Sequence, residues 1–484
     1  MIKSEEVELK LELEPADVER FHALPAVGKP TRRAMLQVTT YFDTPTGELR
    51  KAGYSLRLRR KGRRCVQTVK HRGGDSGGFS ARAEWEKKIE GPDLDFSALD
   101  GTPLARLLGK KKIRARLVPV SETRVRRTLW NLKAGASAIE LILDEGEVAS
   151  GPRQEPICEI ELELKRGSRE ALFDVARTIG REVRLRMGVM SKSERGYMLA
   201  EPGRRRIRKA EHVELTPELS VAQAFAAIVQ SCLRHFRLNE PLVVERKPEG
   251  LHQARVAIRR LRSAISLFKP ALADPAVDPL REELRWFAGV LGAARNLDVI
   301  LGTRRPPELG PGLTAAERRR LKAERKQAYA EVADALQSTR LTFLLLEIVA
   351  WAETGAWRQG ELARRPIIGF SDERLGRQWR KVRKAGKDIA ALEPEARHEL
   401  RIDAKKLRYA AEFFSSLASR GKRRQQKAFL AALKDLQECL GELNDIETAK
   451  LVAPALAPQA DSAELLRNSQ RAFDRLADAG PYWR

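Results

Sequence analysis

Near the amino terminus Glu6, Glu8 and Lys10 alternate with Val7 and Leu9. Successive side chains of a strand point to opposite faces, so the two carboxylates and the ammonium share one face and the apolar pair the other. Glu159, Glu161, Glu163 and Lys165 form a second row of the same kind. Carboxylates crowded on one face repel each other unless a cation compensates, and a hard, oxygen-binding ion such as Mg²⁺ or Mn²⁺ suits them. Basic rows accompany the acidic ones: Arg57 with Arg59, Arg82 beside Glu84 and Glu86, and Arg124, Arg126 and Arg127, with Lys70 and Lys192 in addition. Arginine grips phosphate through a planar fork and lysine as a mobile point charge. Interleaved on one sheet face, these groups make a site for a metal-bound polyphosphate. The bland alternative, a solvated charged exterior, loses ground because such rows recur on nearly every strand.

A different arrangement occupies the carboxy-terminal half. His252, Arg255, Arg259 and Arg262 follow one another at helical steps and share one helix face. His398, Arg401, Lys405 and Arg408 repeat them, each 146 residues later (252 to 398, 262 to 408). The repeat runs from Leu251–Arg262 to Arg397–Arg408, and Phe268 and Phe414 keep its register. A fainter, displaced echo links Leu291-Gly292 to Leu440-Gly441. A stripe of like charge is destabilising unless anions offset it, so a duplicated stripe points to a polyanion. The histidines lie in no metal-ligand pattern, and dense positive charge repels a cation; hydrogen bonding to phosphate is the expected role.

The elements that must carry these residues differ between the halves. Period-two alternation at Glu6–Leu13, Ser55–Arg59, Glu84–Lys88 and Ile157–Lys165 predicts an antiparallel sheet, with short helices at Ala16–Leu24 and Glu170–Arg181. From about residue 217 the period is helical, over Val221–Leu233, Leu251–Phe268, Ala315–Glu347 and Arg397–Leu417, with prolines at 217, 241, 248, 270, 279, 306, 366 and 394 expected between helices. The reading is therefore α+β, with a strand-rich domain 1–203, a basic linker 204–216 and an all-helical domain 217–484. A length of 484 residues suits two cores. The net charge of +25 exceeds what solubility needs and points to a polyanionic partner. Cys65, Cys158, Cys232 and Cys439 have no zinc-site spacing. With no apolar leader and no run of membrane-spanning length, the cytoplasm is the expected compartment. Aromatic content of 6% argues against stacking on single-stranded nucleic acid, which makes RNA a secondary candidate. The basic helices also lack an aromatic insertion face for a membrane.

Glu6-x-Glu8-x-Lys10 resembles the signature of the CYTH family, the triphosphate tunnel metalloenzymes. Further pieces follow in order: Tyr41-Phe-Asp43-Thr-Pro, Leu56-Arg57-Leu58-Arg59, Thr68-Val-Lys70, Arg82-x-Glu84-x-Glu86, Glu140-x-x-x-Asp144-x-Gly146, Glu159-Ile-Glu161-Leu-Glu163 and Ser191-Lys192-Ser193-x-Arg195-Gly196-Tyr197. The resemblance implies an eight-stranded antiparallel barrel whose inner face holds a triphosphate and divalent metal. It implies Glu6, Glu8, Asp144, Glu161 and Glu163 as metal ligands, and Lys10, Arg57, Arg59, Lys70, Arg82 and Lys192 as phosphate holders. Glu6, Glu8, Lys10 and Glu163 carry the catalysis in this reading. On the strand before Trp130 the family spacing favours Arg127, whereas Arg124 and Arg126 share the opposite face.

The helical half resembles the CHAD domain, which implies two four-helix bundles related by a pseudo-twofold and inorganic polyphosphate as ligand. The matched residues are His252, Arg255, Arg259, Arg260, Arg262, His398, Arg401, Lys405, Lys406 and Arg408. The tandem order resembles bacterial inorganic triphosphatases and implies hydrolysis of inorganic triphosphate to diphosphate and phosphate. A nucleoside or thiamine triphosphatase is the alternative within enzymes, adenylate cyclase a more distant one, and a non-catalytic polyphosphate receptor the alternative outside them. Association with polyphosphate granules would follow from the implied ligand.

Overall fold

The computed structural model describes residues 2–61, 64–71, 77–201, 206–302, 314–452 and 462–483. The chain forms two compact units, Met1–Arg208 with Gln337–Thr354, and Lys209–Leu336 with Gly355–Arg484.

In the first unit the alternating segments become β1 (Ile2–Leu13), β2 (Arg32–Asp43), β3 (Tyr54–Lys61), β4 (Arg64–His71), β5 (Phe79–Ile89), β6 (Val118–Ala134), β7 (Ser137–Ser150), β8 (Arg153–Arg166) and β9 (Leu185–Met187). Eight of them run antiparallel in the order β5-β4-β3-β2-β6-β7-β8-β1. They close on themselves, because β1 pairs with β8 over Glu8–Glu12 and with β5 over Ile2–Leu9. The implied eight-stranded barrel is thus present, and β9 extends the sheet along Leu11–Leu13 of β1.

Its polarity is inverted relative to a barrel with an apolar core. On β1, β3, β5 and β8 the charged face turns inward, β2 and β6 add Gln37, Thr39, Tyr41, Thr123 and Arg127 to the lumen, and apolar faces turn outward under a cover of helices and loops. Leu9 and Leu11 are buried on that outer face, Phe79 stacks on Phe173 of the Glu170–Gly180 helix, and Trp130 meets Phe21 edge-on at 5.6 Å. Leu49, Leu56, Val69, Trp85, Leu99, Leu104 and Leu108 make a further cluster. Each fully buried side chain of this size stabilises the unit by roughly 1.5–3 kcal/mol, so the cover cannot be lost lightly.

The second unit is all-helical. The helices Val221–Val244, Pro248–Phe268 and Val277–Leu301 return as Ile367–Ala385, Pro394–Phe413 and Arg423–Val452, starting 146 residues later in each case (221 to 367, 248 to 394, 277 to 423). Ala315–Gln337 and Ser462–Ala479 complete the two sets. Reciprocal bonds mark the pseudo-twofold: Val221 N–H donates to the Arg365 carbonyl at 2.9 Å, and Ile367 N–H to that of Leu219 at 2.8 Å. The paired Phe268 and Phe414 touch each other at 5.9 Å between ring centres.

Two expectations, on one helix and on the prolines, are corrected. The stretch Ala315–Glu347 is two helices, Ala315–Gln337 and Thr339–Thr354, and the second packs in the first unit. In the segment read as a linker, Val213 and Leu215 are buried and Leu215 N–H donates to Ser416 Oγ at 2.8 Å. Pro241 and Pro279 lie within helices, Pro241 in the last turns of Val221–Val244, and Pro279 in the first turn of Val277–Leu301 where a missing N–H costs little. Pro306 lies outside the described residues.

The Lys192–Ala200 helix approaches β6 so closely that a Cβ on Gly196 would stand 2.1 Å from Ser121 Oγ. Gly196→Ala is expected to lower stability by about 1–3 kcal/mol, the usual cost of overpacking. Ser121→Gly in the same chain should recover part of it. Equal urea midpoints for parent and Gly196→Ala would refute this close packing.

Candidate functional site

The lumen of the barrel is a cavity of about 550 Å³. Where Glu161, Lys10, Arg127 and Lys192 line it, Glu161 gathers with Asp144 and Glu159, fully buried behind that lining, and the three carboxylates place ligand oxygens within 4.8 Å of one another. Strand register explains the meeting: Glu159 lies opposite Asp144 on β7, Glu161 opposite Lys10 on β1, and Asp144 opposite Arg127 on β6. Three cations answer them. Arg127 holds Asp144 with two bonds of 2.7 and 2.6 Å and reaches Glu161 at 3.0 Å. Lys192 lies 2.7 Å from Asp144 and 2.9 Å from Glu161, and also bonds Glu159. Lys10 stands 3.3 Å from Glu161 and 3.7 Å from Glu159.

Charges this enclosed hold their ionised forms only through one another. Burial works against the Lys10 ammonium, but Glu159, Glu161 and Glu8 overcome it and raise its pKa to about 12. Burial likewise works against the Glu161 carboxylate, yet Lys192, Lys10 and Arg127 hold it well below the usual range. Asp144 is lowered by Arg127 and Lys192 against the same burial.

A second acidic group is less fully answered. Glu8 lies opposite Glu163 across β1 and β8, and Glu163 opposite Glu140 across β8 and β7. Lys70 pairs with Glu6, Lys165 with Glu163 at 2.6 Å and with Glu140 at 3.3 Å, and Ser80 donates to Glu8 at 3.2 Å. Burial still pushes the Glu163 carboxyl up, and Glu6 and Glu140 add to it against the pull of Lys165. This is the place where the donor set fits a hard divalent cation: oxygen ligands with negative charge left over. In the deeper triad, by contrast, the Lys192 ammonium already occupies the cationic position.

On β3, Arg57 pairs with Glu84 at 3.0 Å, while Arg59 forms no salt bridge with a described residue and its enclosed Nε has no hydrogen-bond partner. Burial, then Arg57 and Arg127, lower the Arg59 pKa to about 10. The lumen therefore contains a cation in want of an anion. Arg127 is the arginine of β6 that lies inside, whereas Arg124 and Arg126 are exposed and pair with Glu122 and Glu145. The side chain of Arg82 lies outside the described residues; its backbone sits opposite Glu6.

Lys192 owes its place to the start of its helix. Ser191 and Glu194 form a reciprocal capping box there. Three residues past Glu194, the Tyr197 hydroxyl donates to Asp43 at 2.6 Å. Asp43 is fully buried and also accepts from the backbone of Thr44, Leu49 and Arg50. Glu159, Asp43 and Tyr197 were part of the motif pieces without an assigned role; for Glu159 the signal was its place in the same alternating row as Glu161.

In the helical unit, His252, Arg255 and Arg259 lie together with Arg295, and Arg262 lies with Arg281 and Arg285. Burial and these neighbours depress His252, Arg255 and Arg262. Sequence reading assigned no role to Arg281, Arg285 and Arg295, which come from the next helix, although Arg295 lies in the fainter echo of the repeat. On the repeated helix, His398 and Lys406 are exposed and Arg401 and Lys405 half-buried; Lys406 pairs with Asp403 at 3.2 Å and Arg408 with Glu412 at 3.7 Å. Arg260 departs from its expected place. It is 5% exposed, pairs with Glu412 and lies over the Phe413 ring at 4.8 Å, so it joins the two repeats. No described helix is long and apolar enough to cross a membrane.

A barrel with this inward charge and a duplicated basic bundle define the chain's class: residues 4–197 are a CYTH domain and residues 227–453 a CHAD domain. Over 201 residues the chain is 30% identical to an inorganic triphosphatase of Haemophilus influenzae, a match that covers 41% of this chain and 56% of that relative. The chain thus spans little more than half of the curated relative. The crystal structure of a CHAD domain from Ricinus communis shares 30% identity, over 57% of this chain and 93% of that one, with a TM-score of 0.44. A Hippeastrum protein described as having a dominant triphosphatase activity shares 23%, over 39% and 93%, with a TM-score of 0.32.

The depressed carboxylates give a pH prediction. A carboxylate whose folded pKa lies below its unfolded value adds stability above the unfolded value and loses it as pH falls through the folded one. Glu161 (ordinary value 4.5) and Asp144 (3.8) should therefore stabilise the unit at neutrality and lose that contribution progressively as pH falls from those values through their lower folded ones. Lys192→Met removes the shared ammonium, so the acid-unfolding midpoint should move up. Melts between about pH 7 and pH 3 check this; superimposable profiles would dismiss the triad's dependence on Lys192.

Proposed function

We propose that this chain is a divalent-metal-dependent inorganic triphosphatase whose helical unit holds polyphosphate. The observation that carries the reading is the unmatched charge of the lumen, the unpaired Arg59 together with the surplus carboxylate around Glu163. A triphosphate chelated to a divalent metal brings both missing partners at once. Glu6, Glu8 and Glu163, with Asp144 and Glu161 at the deeper end, would hold Mg²⁺ or Mn²⁺, which supplies charge neutralisation and an acidified water. Arg59 and Arg57 would take phosphate oxygens, joined by Arg82 and, as their present carboxylate partners turn to the cation, by Lys10, Lys70, Arg127 and Lys192. Glu6 or Glu163 would orient the attacking water. Phosphoryl transfer asks little more of a protein than this positioning and neutralisation.

In the helical unit, the face carrying His252, Arg255, Arg259 and Arg262, with Arg401, Lys405 and His398 of the repeat, would bind a long polyanion. The depression of His252, Arg255 and Arg262 by burial and neighbouring cations supports an anionic ligand. The enclosed Tyr409, 3% exposed beneath Arg259 and Arg408, offers no open stacking platform, which favours polyphosphate over RNA.

Phosphate release from tripolyphosphate, ATP, thiamine triphosphate and long polyphosphate, each with Mg²⁺ or Mn²⁺, is the deciding measurement. Fast release from tripolyphosphate is expected, and none from any substrate would leave a receptor instead. Glu8→Gln should abolish turnover with triphosphate still bound. Arg59→Gln should raise KM about ten- to hundredfold, as losing charge-assisted hydrogen bonds of roughly 1.5–3 kcal/mol does. Polyphosphate binding to the full chain should weaken steeply with salt and with Arg259→Ala and Lys405→Ala combined. Equal or tighter binding to RNA would overturn that ligand.

A further inference from the structure

The helix Thr339–Thr354 comes from within the carboxy-terminal half of the sequence, yet it is part of the first unit. Two ion pairs fix it to the Glu170–Gly180 helix. Arg177 donates to both carboxylate oxygens of Glu347, at 2.6 and 2.9 Å, and Arg169 lies 3.8 Å from Glu353. A third polar contact reaches the sheet, where the Thr342 hydroxyl donates to the Leu185 carbonyl at 3.0 Å. Phe343 and Leu346 close an apolar seam with Leu11, Ala176, Leu185 and Met187.

The strand they back is β9. It has three residues and is bonded along β1 from Leu11 to Leu13. Pairing that short is marginal by itself, so the position of β9 depends on what packs behind it. Directly after β9, the Gly188 N–H donates to the Lys10 carbonyl at 2.9 Å. A Cβ on Gly188 would stand 2.6 Å from Lys10 Cγ, so the chain there lies hard against the stem of the lumen lysine. A continuous set of contacts therefore runs from Thr342, Phe343 and Glu347 through β9 to Lys10, whose ammonium meets Glu161 at 3.3 Å.

We propose that Thr339–Thr354 is a positioning element of the lumen site, holding β9 in place and through it the backbone and stem of Lys10. The hydrolytic unit is then discontinuous in sequence. It borrows one helix from the region whose remainder forms the CHAD unit. The Arg177–Glu347 pair is partly exposed, so its value is geometric rather than a large share of stability. The catalytic consequence rests on the lumen being the hydrolytic site.

Three full-length variants test this. Thr342→Val removes the bond to Leu185 at constant volume, Glu347→Arg opposes Arg177, and Arg177→Glu with Glu347→Arg exchanges the pair. Amide hydrogen exchange at Leu185–Gly188 and at Lys10 is measured beside kcat and KM for phosphate release. The single variants should exchange faster there and lose roughly tenfold in kcat with a smaller change in KM, within what slight misplacement of a reacting group can cause. The exchanged pair should recover both. Unchanged amide exchange in Glu347→Arg and Thr342→Val, or faster exchange with unaltered kcat, would overturn the proposal. In a parent that releases no phosphate the triphosphatase reading fails, and the exchange rates still decide whether this helix holds β9 and Lys10.

Discussion

Asp144, Glu159 and Glu161 meet Lys10, Arg127 and Lys192 inside a closed barrel, and every other feature of the first unit answers to that encounter. Three carboxylates cannot stay ionised together away from bulk water without cations among them. The cations arrive from three directions, with Lys10 on β1, Arg127 on β6 and Lys192 on a helix capped by Ser191 and latched to Asp43 through Tyr197. One partner deleted from such a set leaves a buried charge unanswered, which costs more than the pair itself contributes. The network therefore specifies one arrangement of strand register and helix position.

Turning the charged faces inward has a structural consequence on the outside. The apolar faces of the strands must be covered by something other than a core within the barrel. The Glu170–Gly180 helix, the Phe21 and Trp130 contact, the Leu49–Leu108 cluster and Thr339–Thr354 are that cover. Each element of cover packs on strands whose opposite faces line the lumen. Displacing cover thus displaces chemistry, and a helix distant in sequence can bear on a lumen lysine.

Much of this was legible in the sequence because β-strand alternation writes a face directly into residue order. Glu6, Glu8 and Lys10, Glu161, Glu163 and Lys165 of the β8 row, Arg57, Arg59 and Lys70 all line the lumen as period two requires. Where the alternation was ambiguous, on β6, the deciding fact was non-local: Arg127 lies opposite Asp144, while Arg126 lies opposite Glu145 on the outer face. The buried acidic triad was legible only in outline. Residue types place Glu159 beside Glu161, but the occupation of that triad by Lys192 depends on a helix entering the barrel, which no spacing reveals. The break at Ser338 was hidden for a similar reason, since helical periodicity continues across it and neither glycine nor proline marks the turn.

The helical unit shows how a repeat can be kept in structure while being divided in chemistry. Reciprocal backbone bonds and the Phe268–Phe414 contact preserve the pseudo-twofold, because both halves must fit the same axis. Away from the axis that constraint lapses. Arg260 bonds Glu412, but its counterpart Lys406 turns to Asp403. Arg285 corresponds to Ala431, and Arg295, by the displaced echo, to Asn444. At the repeat step of 146, Arg281 alone of the second layer behind His252, Arg255 and Arg262 has a cationic counterpart, Lys427. Electrostatic attraction is local, reaching about a Debye length, 8–10 Å at ordinary ionic strength. The two halves of the duplicated motif therefore keep one scaffold while differing in local positive charge.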